Sequence, residues 1–173
     1  MSILETLDLE DLSPSRLWTH LDDATREEAV RSAYNDGTQG SKVEADMAIA
    51  NALRFRPNAV RQLPLERRVA YMLKNVYADD NLASTMLLAL HLDRRVALLG
   101  TFLDELGIPQ SGGLIDDDYD LETPGAEALE RAAAAAYEKF DDAEVDLYLA
   151  ALLALDPGTW GALREVIAGR AAG

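Results

Sequence analysis

The feature that most constrains this chain is its density of helix-start signals. Ser2-x-x-Glu5, Thr25-x-x-Glu28, Ser41-x-x-Glu44 and Asp141-x-x-Glu144 have the spacing of a capping box. In that arrangement the first side chain accepts a free N–H of the opening turn, and the carboxylate three residues on reaches back to another. Ser13-Pro14, Thr123-Pro124 and Asp156-Pro157 each place a capping side chain before proline. At the first helical position the missing proline N–H costs nothing. Gly37, Gly107 and Gly169 mark stops, with Pro109 just past the second.

These signals predict helices near 14–22, 26–35, 42–55, 65–77, 81–92, 94–106, 125–140, 143–155 and 158–168, with short turns at 3–7 and 58–63. Composition agrees. Ala and Leu supply 56 of the 173 residues, against 21 for Val, Ile and Thr together, so helix formers far outnumber strand formers. Val43, Met47, Ala50 and Leu53 recur at helical spacing, as do Leu99, Phe102, Leu103 and Leu106. Segments 81–92 and 143–155 are apolar nearly all round and are expected to form the core.

The expected fold is all-α: a helical bundle, or a short helical-repeat array, of about nine helices in one domain over 1–173. The repeat reading rests on self-similarity. Tyr77-Ala78-Asp79-Asp80 leads into an apolar helix ending Leu90-His91-Leu92-Asp93. Phe140-Asp141-Asp142 leads into one ending Leu153-Ala154-Leu155-Asp156, and the aromatic-to-final-leucine distance is the same in both. Tyr34-Asn35-Asp36 leads into a more divergent copy ending Leu53-Arg54-Phe55-Arg56-Pro57, lengthened by Gly37-Thr38-Gln39-Gly40-Ser41. Two or three related helix–turn–helix units, about 26–63, 65–106 and 125–168, would stack to bury their apolar faces.

Residues 107–124 interrupt this pattern with a long acidic loop that has no helical or strand period. Asp116, Asp118, Asp120, Glu122 and Glu127 fall at positions 1, 3, 5, 7 and 12 of an EF-hand loop, which makes calcium one reading. Leu121 stands where the sharp turn needs glycine, and Pro124 occupies position 9. A solvated acidic loop is therefore the preferred reading, and no metal or other cofactor is expected.

Several chemistries are excluded or disfavoured. The chain has no cysteine, so disulfides, thiolate metal sites and cysteine nucleophiles are impossible. No apolar run reaches the roughly 18 residues of a membrane span. The acidic Met1–Asp11 stretch does not read as a secretory signal. His20 and His91 each stand in a His-Leu-Asp triplet, and residues two apart on a helix do not share a face. His91, inside an apolar helix, reads as a core histidine bonded to a neighbour. Asp36-Gly37-Thr38-Gln39-Gly40-Ser41-Lys42 has the composition of a phosphate loop but the wrong order, and no strand precedes it.

Charge is distributed unevenly. The net charge is −15, but residues 1–28 carry −6, residues 29–74 carry +4 and residues 75–173 carry −13. The basic segment is densest at Arg54, Arg56, Arg61, Arg67 and Arg68. The first reading is that these arginines pair internally with carboxylates of the acidic ends. The second is a contact surface, because the planar guanidinium binds carboxylates bidentately. The third, nucleic-acid binding, is disfavoured by the overall charge and the lack of an aromatic series. The expected function is a soluble cytoplasmic protein-interaction module: an adaptor, a chaperone-like binder or a self-associating assembly subunit. Its contact surface is expected to include the arginines above with Asp116, Asp118, Tyr119 and Asp120. The alternatives are a small-molecule-binding bundle or enzyme, marked by a pocket around a histidine of altered ionisation, and an acidic nucleic-acid mimic.

Overall fold

The computed structural model describes residues 1–35 and 39–173. Two 3₁₀ turns, Ile3–Glu5 and Leu9–Asp11, lead into α1 (Pro14–His20), α2 (Asp23–Ala33), α3 (Gln39–Leu53), α4 (Pro57–Arg61), α5 (Leu65–Asn75), α6 (Asp80–Arg94) and α7 (Val96–Glu105). A small hairpin follows, β1 (Gln110–Ser111) and β2 (Leu114–Ile115). The chain ends with α8 (Ala126–Lys139), α9 (Asp142–Leu155), α10 (Pro157–Trp160) and α11 (Leu163–Ala171). Nine of these helices have seven residues or more, and the fold is all-α. The helix expected at 158–168 is two, divided at Gly161-Ala162, which lets α10 bury Trp160.

The expected starts are partly realised. Ser13 accepts from the Arg16 N–H, Asp141 from Ala143 and Asp156 from Thr159. Helix α2 begins earlier than expected, because Asp22 rather than Thr25 is its cap and accepts from the Thr25 N–H at 2.7 Å. Ser41 lies inside α3, which begins at Gln39. Thr123-Pro124 precedes Gly125, which is extended, and α8 starts after it. The capping carboxylates have been drawn into tertiary contacts instead: Glu28 and Glu144 to Arg95, and Glu44 to the Thr85 hydroxyl. Gly169 lies within α11 and stops nothing. The stop expected at Gly37 and the Asp36 of the divergent unit fall outside the described residues.

Helices α6 and α9 form the core, as their all-round apolar sequences require. α2 and α1 pack along α6, α1 also meets α9, and α8 bridges α7, α9 and α11. Among the described residues, the two buried carboxylates of this interior are each held in the same way. Asp46 of α3 accepts from the Tyr34 hydroxyl at 2.8 Å and from Arg68 at 3.3 Å, and the Arg68 guanidinium lies over the Tyr34 ring. Asp146 of α9 accepts from the Tyr137 hydroxyl at 2.5 Å and from Ser2, and Arg170 lies 3.4 Å over the Tyr137 ring. A buried carboxylate is tolerable only when its oxygens are bonded and its charge is matched. These clusters meet both conditions.

Two helices end alike with different residues. After α7, Ile108 N–H reaches back to the Leu103 carbonyl, and Gly107 supplies the left-handed turn at φ 71°. After α3, Phe55 N–H reaches back to Ala50 at 2.9 Å, but the left-handed position is Arg54, at φ 55°. A side chain there crowds its own backbone by about 1–2 kcal/mol, part of which glycine returns as lost chain entropy. Arg54→Gly is expected to raise stability by roughly 0.5–1 kcal/mol in urea unfolding. An unchanged or lower midpoint contradicts the strain. Glu144→Gln, which strips one carboxylate from buried Arg95, is expected to cost about 1–3 kcal/mol in the same measurement.

Candidate functional site

The arginine segment runs from the end of α3 through α4 into α5, and α3 packs on both of the others. Internal pairing, the first expectation, holds for Arg68 alone, and its partner Asp46 comes from the same basic segment rather than from the acidic ends. The other described acids of this region are already engaged: Glu44 by Thr85, and Glu66 by Arg31 at 2.8 Å. The Arg31 guanidinium holds the Glu66 carboxyl below the ordinary carboxylate range. Arg54, Arg56, Arg61 and Arg67 are exposed, and among the described residues none makes an ion pair. Exposed apolar side chains lie in the same stretch of chain: Phe55 is 43% exposed and Leu65 40%. The Phe55 ring meets Tyr71 of α5 edge-on at 6.1 Å.

The acidic loop is more ordered than its sequence indicated. Gly112 and Gly113 both take positive φ, 59° and 84°, and close the β1–β2 hairpin. Paired glycines at such a turn are the signal that reading for a strand period missed. Gly113 has a second reason to be glycine, since a Cβ there would lie 2.8 Å from Leu99. Beyond the hairpin, Asp116 accepts from the Ser111 hydroxyl and Tyr119 N–H bonds the Asp116 carbonyl. Asp117, Asp118, Asp120 and Glu122 are exposed, and Glu127 pairs with Arg131 inside α8. Among the described residues no three His, Asp or Glu side chains gather as a metal site. The hairpin packs on α7, and no hydrogen bond or ion pair among the described residues joins the loop to Arg54, Arg56, Arg61 or Arg67.

A third feature lies under the hairpin. A cleft of about 130 Å³ opens between α6, α7, α9 and α10, lined by Leu99, Leu103, Leu114, Trp160, Tyr148 and His91 among others. His91 is 4% exposed, and its Nδ1 lies 2.8 Å from the Leu87 carbonyl one turn back, as expected of a core histidine. That carbonyl can only accept, so Nδ1 carries the proton and Nε2 is a bare lone pair. Nε2 is buried with no partner. Tyr148 is buried and lies 5.5 Å from His91, ring to ring. Sequence reading named His91 but gave no sign of Tyr148 or the cleft, because the residues around it come from five separate segments. His20, by contrast, is exposed and bonds the Arg16 carbonyl.

Compared with known proteins, the chain matches no family model, no curated protein and no solved structure. Among the described residues no helix is long and apolar enough to cross a membrane.

Burial pushes the His91 imidazole down to about 4, with nearby Arg95 acting in the same direction. In the unfolded chain His91 takes its proton near the ordinary value of 6.5, whereas in the folded chain it stays neutral until about 4. Falling pH therefore favours the unfolded state across that window, at up to about 1.4 kcal/mol per pH unit. Urea unfolding of the wild type and of His91→Gln across this range is expected to show a steeper loss in the wild type. Identical slopes contradict a neutral buried imidazole.

Proposed function

We propose that this protein is an interaction module whose contact surface is the α3–α5 face, and that its partner there is an acidic protein segment carrying an apolar side chain. One observation carries this reading: four exposed arginines, without an ion pair among the described residues, lie in the same stretch of chain as exposed Phe55 and Leu65, in a chain whose net charge is −15. In a protein with such an excess of carboxylates, four unmatched guanidinium groups in one segment are a surplus of binding capacity. Arginine with an aromatic neighbour is the composition of interface centres. Arg54 adds a second support, because it is held at a left-handed position where glycine is less strained. Nucleic acid fits less well, since the long-range repulsion of a −15 chain opposes a polyanion and the segment offers no series of stacking rings.

Head-to-tail self-association is a second reading. It is favoured by the exposed, unpaired carboxylates Asp117, Asp118, Asp120 and Glu122, which complement the arginines of another copy. The reading as two or three related helical units also belongs here. The likeness of the Tyr34–Asp46–Arg68 and Tyr137–Asp146–Arg170 clusters supports it in part, since the Tyr–Asp pairs lie within units 26–63 and 125–168 while Arg68 falls in the 65–106 unit and Arg170 just past 168.

The test is fluorescence anisotropy with a labelled glutamate-rich peptide containing leucine, read against an oligothymidylate of equal charge. Binding of the peptide is expected, with a loss of about tenfold in the Arg56→Glu/Arg61→Glu variant and a smaller loss in Arg54→Gly. Tighter binding of the oligothymidylate, or a variant that binds the peptide as well as the wild type, overturns the reading. Sedimentation of Arg56→Glu and Asp118→Arg, separately and mixed, tests self-association: assembly by the wild type that each variant lacks supports it, and assembly by all forms alike refutes it.

A further inference from the structure

We propose that the cleft under the hairpin docks a basic peptide segment of another protein, seating one bulky apolar side chain of that segment. The cleft is apolar surface that the fold leaves uncovered. Leu88 of α6 and Leu114 of β2 line it, and they are 46% and 56% exposed. Leu92, Leu152 and Leu155, also on its wall, are only half-buried. Single wet leucines are ordinary on a protein surface, but several gathered around one concavity are the mark of a contact site. The space, about 130 Å³, suits one side chain, since an apolar cavity of about 150 Å³ holds a benzene ring. No Asp, Glu, Lys or Arg side chain lines the cleft, so the group that enters is uncharged.

Charge around the cleft defines the rest of the occupant. Three of the segments that wall it run directly into carboxylates: Leu103 into Asp104, Ile115 into Asp116, Asp117 and Asp118, and Leu155 into Asp156. Asp104, Asp116 and Asp156 accept from Gln110, from Ser111 and from the Thr159 N–H, none of which carries a charge. Asp117 and Asp118 are exposed, and among the described residues neither makes an ion pair. The cations nearest the cleft in sequence are already engaged, Arg94 by Asp93 and Arg95 by Glu28 and Glu144. A lysine- or arginine-rich segment supplies the missing counter-charge, and the −13 carried by residues 75–173 attracts it from a distance. A second copy of this chain offers Arg54-Phe55-Arg56, but its own net charge of −15 opposes the approach. This surface is separate from the α3–α5 face and opposite to it in sign, and either proposal stands if the other fails.

The test is fluorescence anisotropy of the full chain with a labelled lysine- and alanine-based peptide that carries one central phenylalanine. Its controls are the same peptide with alanine in that place and the same peptide with glutamine for every lysine. The phenylalanine peptide is expected to bind about tenfold more tightly than either control. Leu88→Ser/Leu114→Ser, at two exposed positions, is expected to erase the preference for phenylalanine and to leave the alanine control unchanged. Asp117→Asn/Asp118→Asn is expected to weaken both lysine peptides about threefold and to flatten their salt dependence. If the leucine variant does not fold, nuclear Overhauser contacts from the peptide ring to the Leu88 and Leu114 methyls of the wild type decide instead, and their absence counts against the cleft. Equal binding of the phenylalanine peptide and either control, or an undiminished preference in the leucine variant, overturns the proposal. So does assembly of the wild type in sedimentation that Leu88→Ser/Leu114→Ser abolishes, because the occupant is then a second copy.

Discussion

Arg95 is the interaction on which the arrangement of this fold depends. It follows α6 directly, its N–H closes on the His91 carbonyl, and its guanidinium is buried at the turn into α7. Glu144 of α9 reaches it at 3.2 Å and Glu28 of α2 at 3.5 Å. Taking an arginine out of water costs several kcal/mol unless carboxylates meet it, so α2 and α9 cannot both leave this corner without exposing that cost. The same charge lies close enough to His91 to help keep the imidazole neutral. The register of the two core helices and the state of the cleft histidine therefore share one cause.

Electrostatic matching elsewhere in the molecule explains what is left over on the surface. Arg68 and Arg170 are consumed by buried aspartates and tyrosine rings, and Arg31 takes both Glu27 and Glu66. Once those pairs are made, the α3–α5 segment has no described carboxylate free for Arg54, Arg56, Arg61 and Arg67. A basic face on an acidic protein is thus produced by internal pairing as much as by composition. The acidic run after the hairpin is left unmatched for the complementary reason, since among the described residues no ion pair reaches Asp117, Asp118, Asp120 or Glu122.

Most of the helices were legible from local chemistry. Ser13-Pro14 and Asp156-Pro157 mark true starts, and the all-round apolar character of 81–92 and 143–155 identifies the core correctly. The errors cluster where one side chain had two possible partners. Glu28, Glu44 and Glu144 sit at capping-box spacing, yet each bonds a residue far along the chain, because a buried cation or a nearby hydroxyl offers more than a solvated first-turn N–H. Thr123-Pro124 failed for a simpler reason, as Gly125 is a poor helix interior residue and the chain stays extended through it. Of the candidate contact residues, the arginines were visible as a run of charge. Their freedom from partners was not, because it depends on where every other carboxylate goes.

The sequence by itself determined that the chain is helical, roughly where its helices lie, which two are buried and where charge of each sign is concentrated. Those properties follow from neighbours within a few residues: caps, prolines, apolar period and composition. Only the tertiary structure decided that Glu28 and Glu144 meet on Arg95, that Arg68 pairs while, among the described residues, the four other arginines of its segment do not, and that Tyr148 stands beside a His91 whose Nε2 has no described partner. Each of these is a competition for a partner among groups distant in sequence, and such a competition is settled only when the helices have packed.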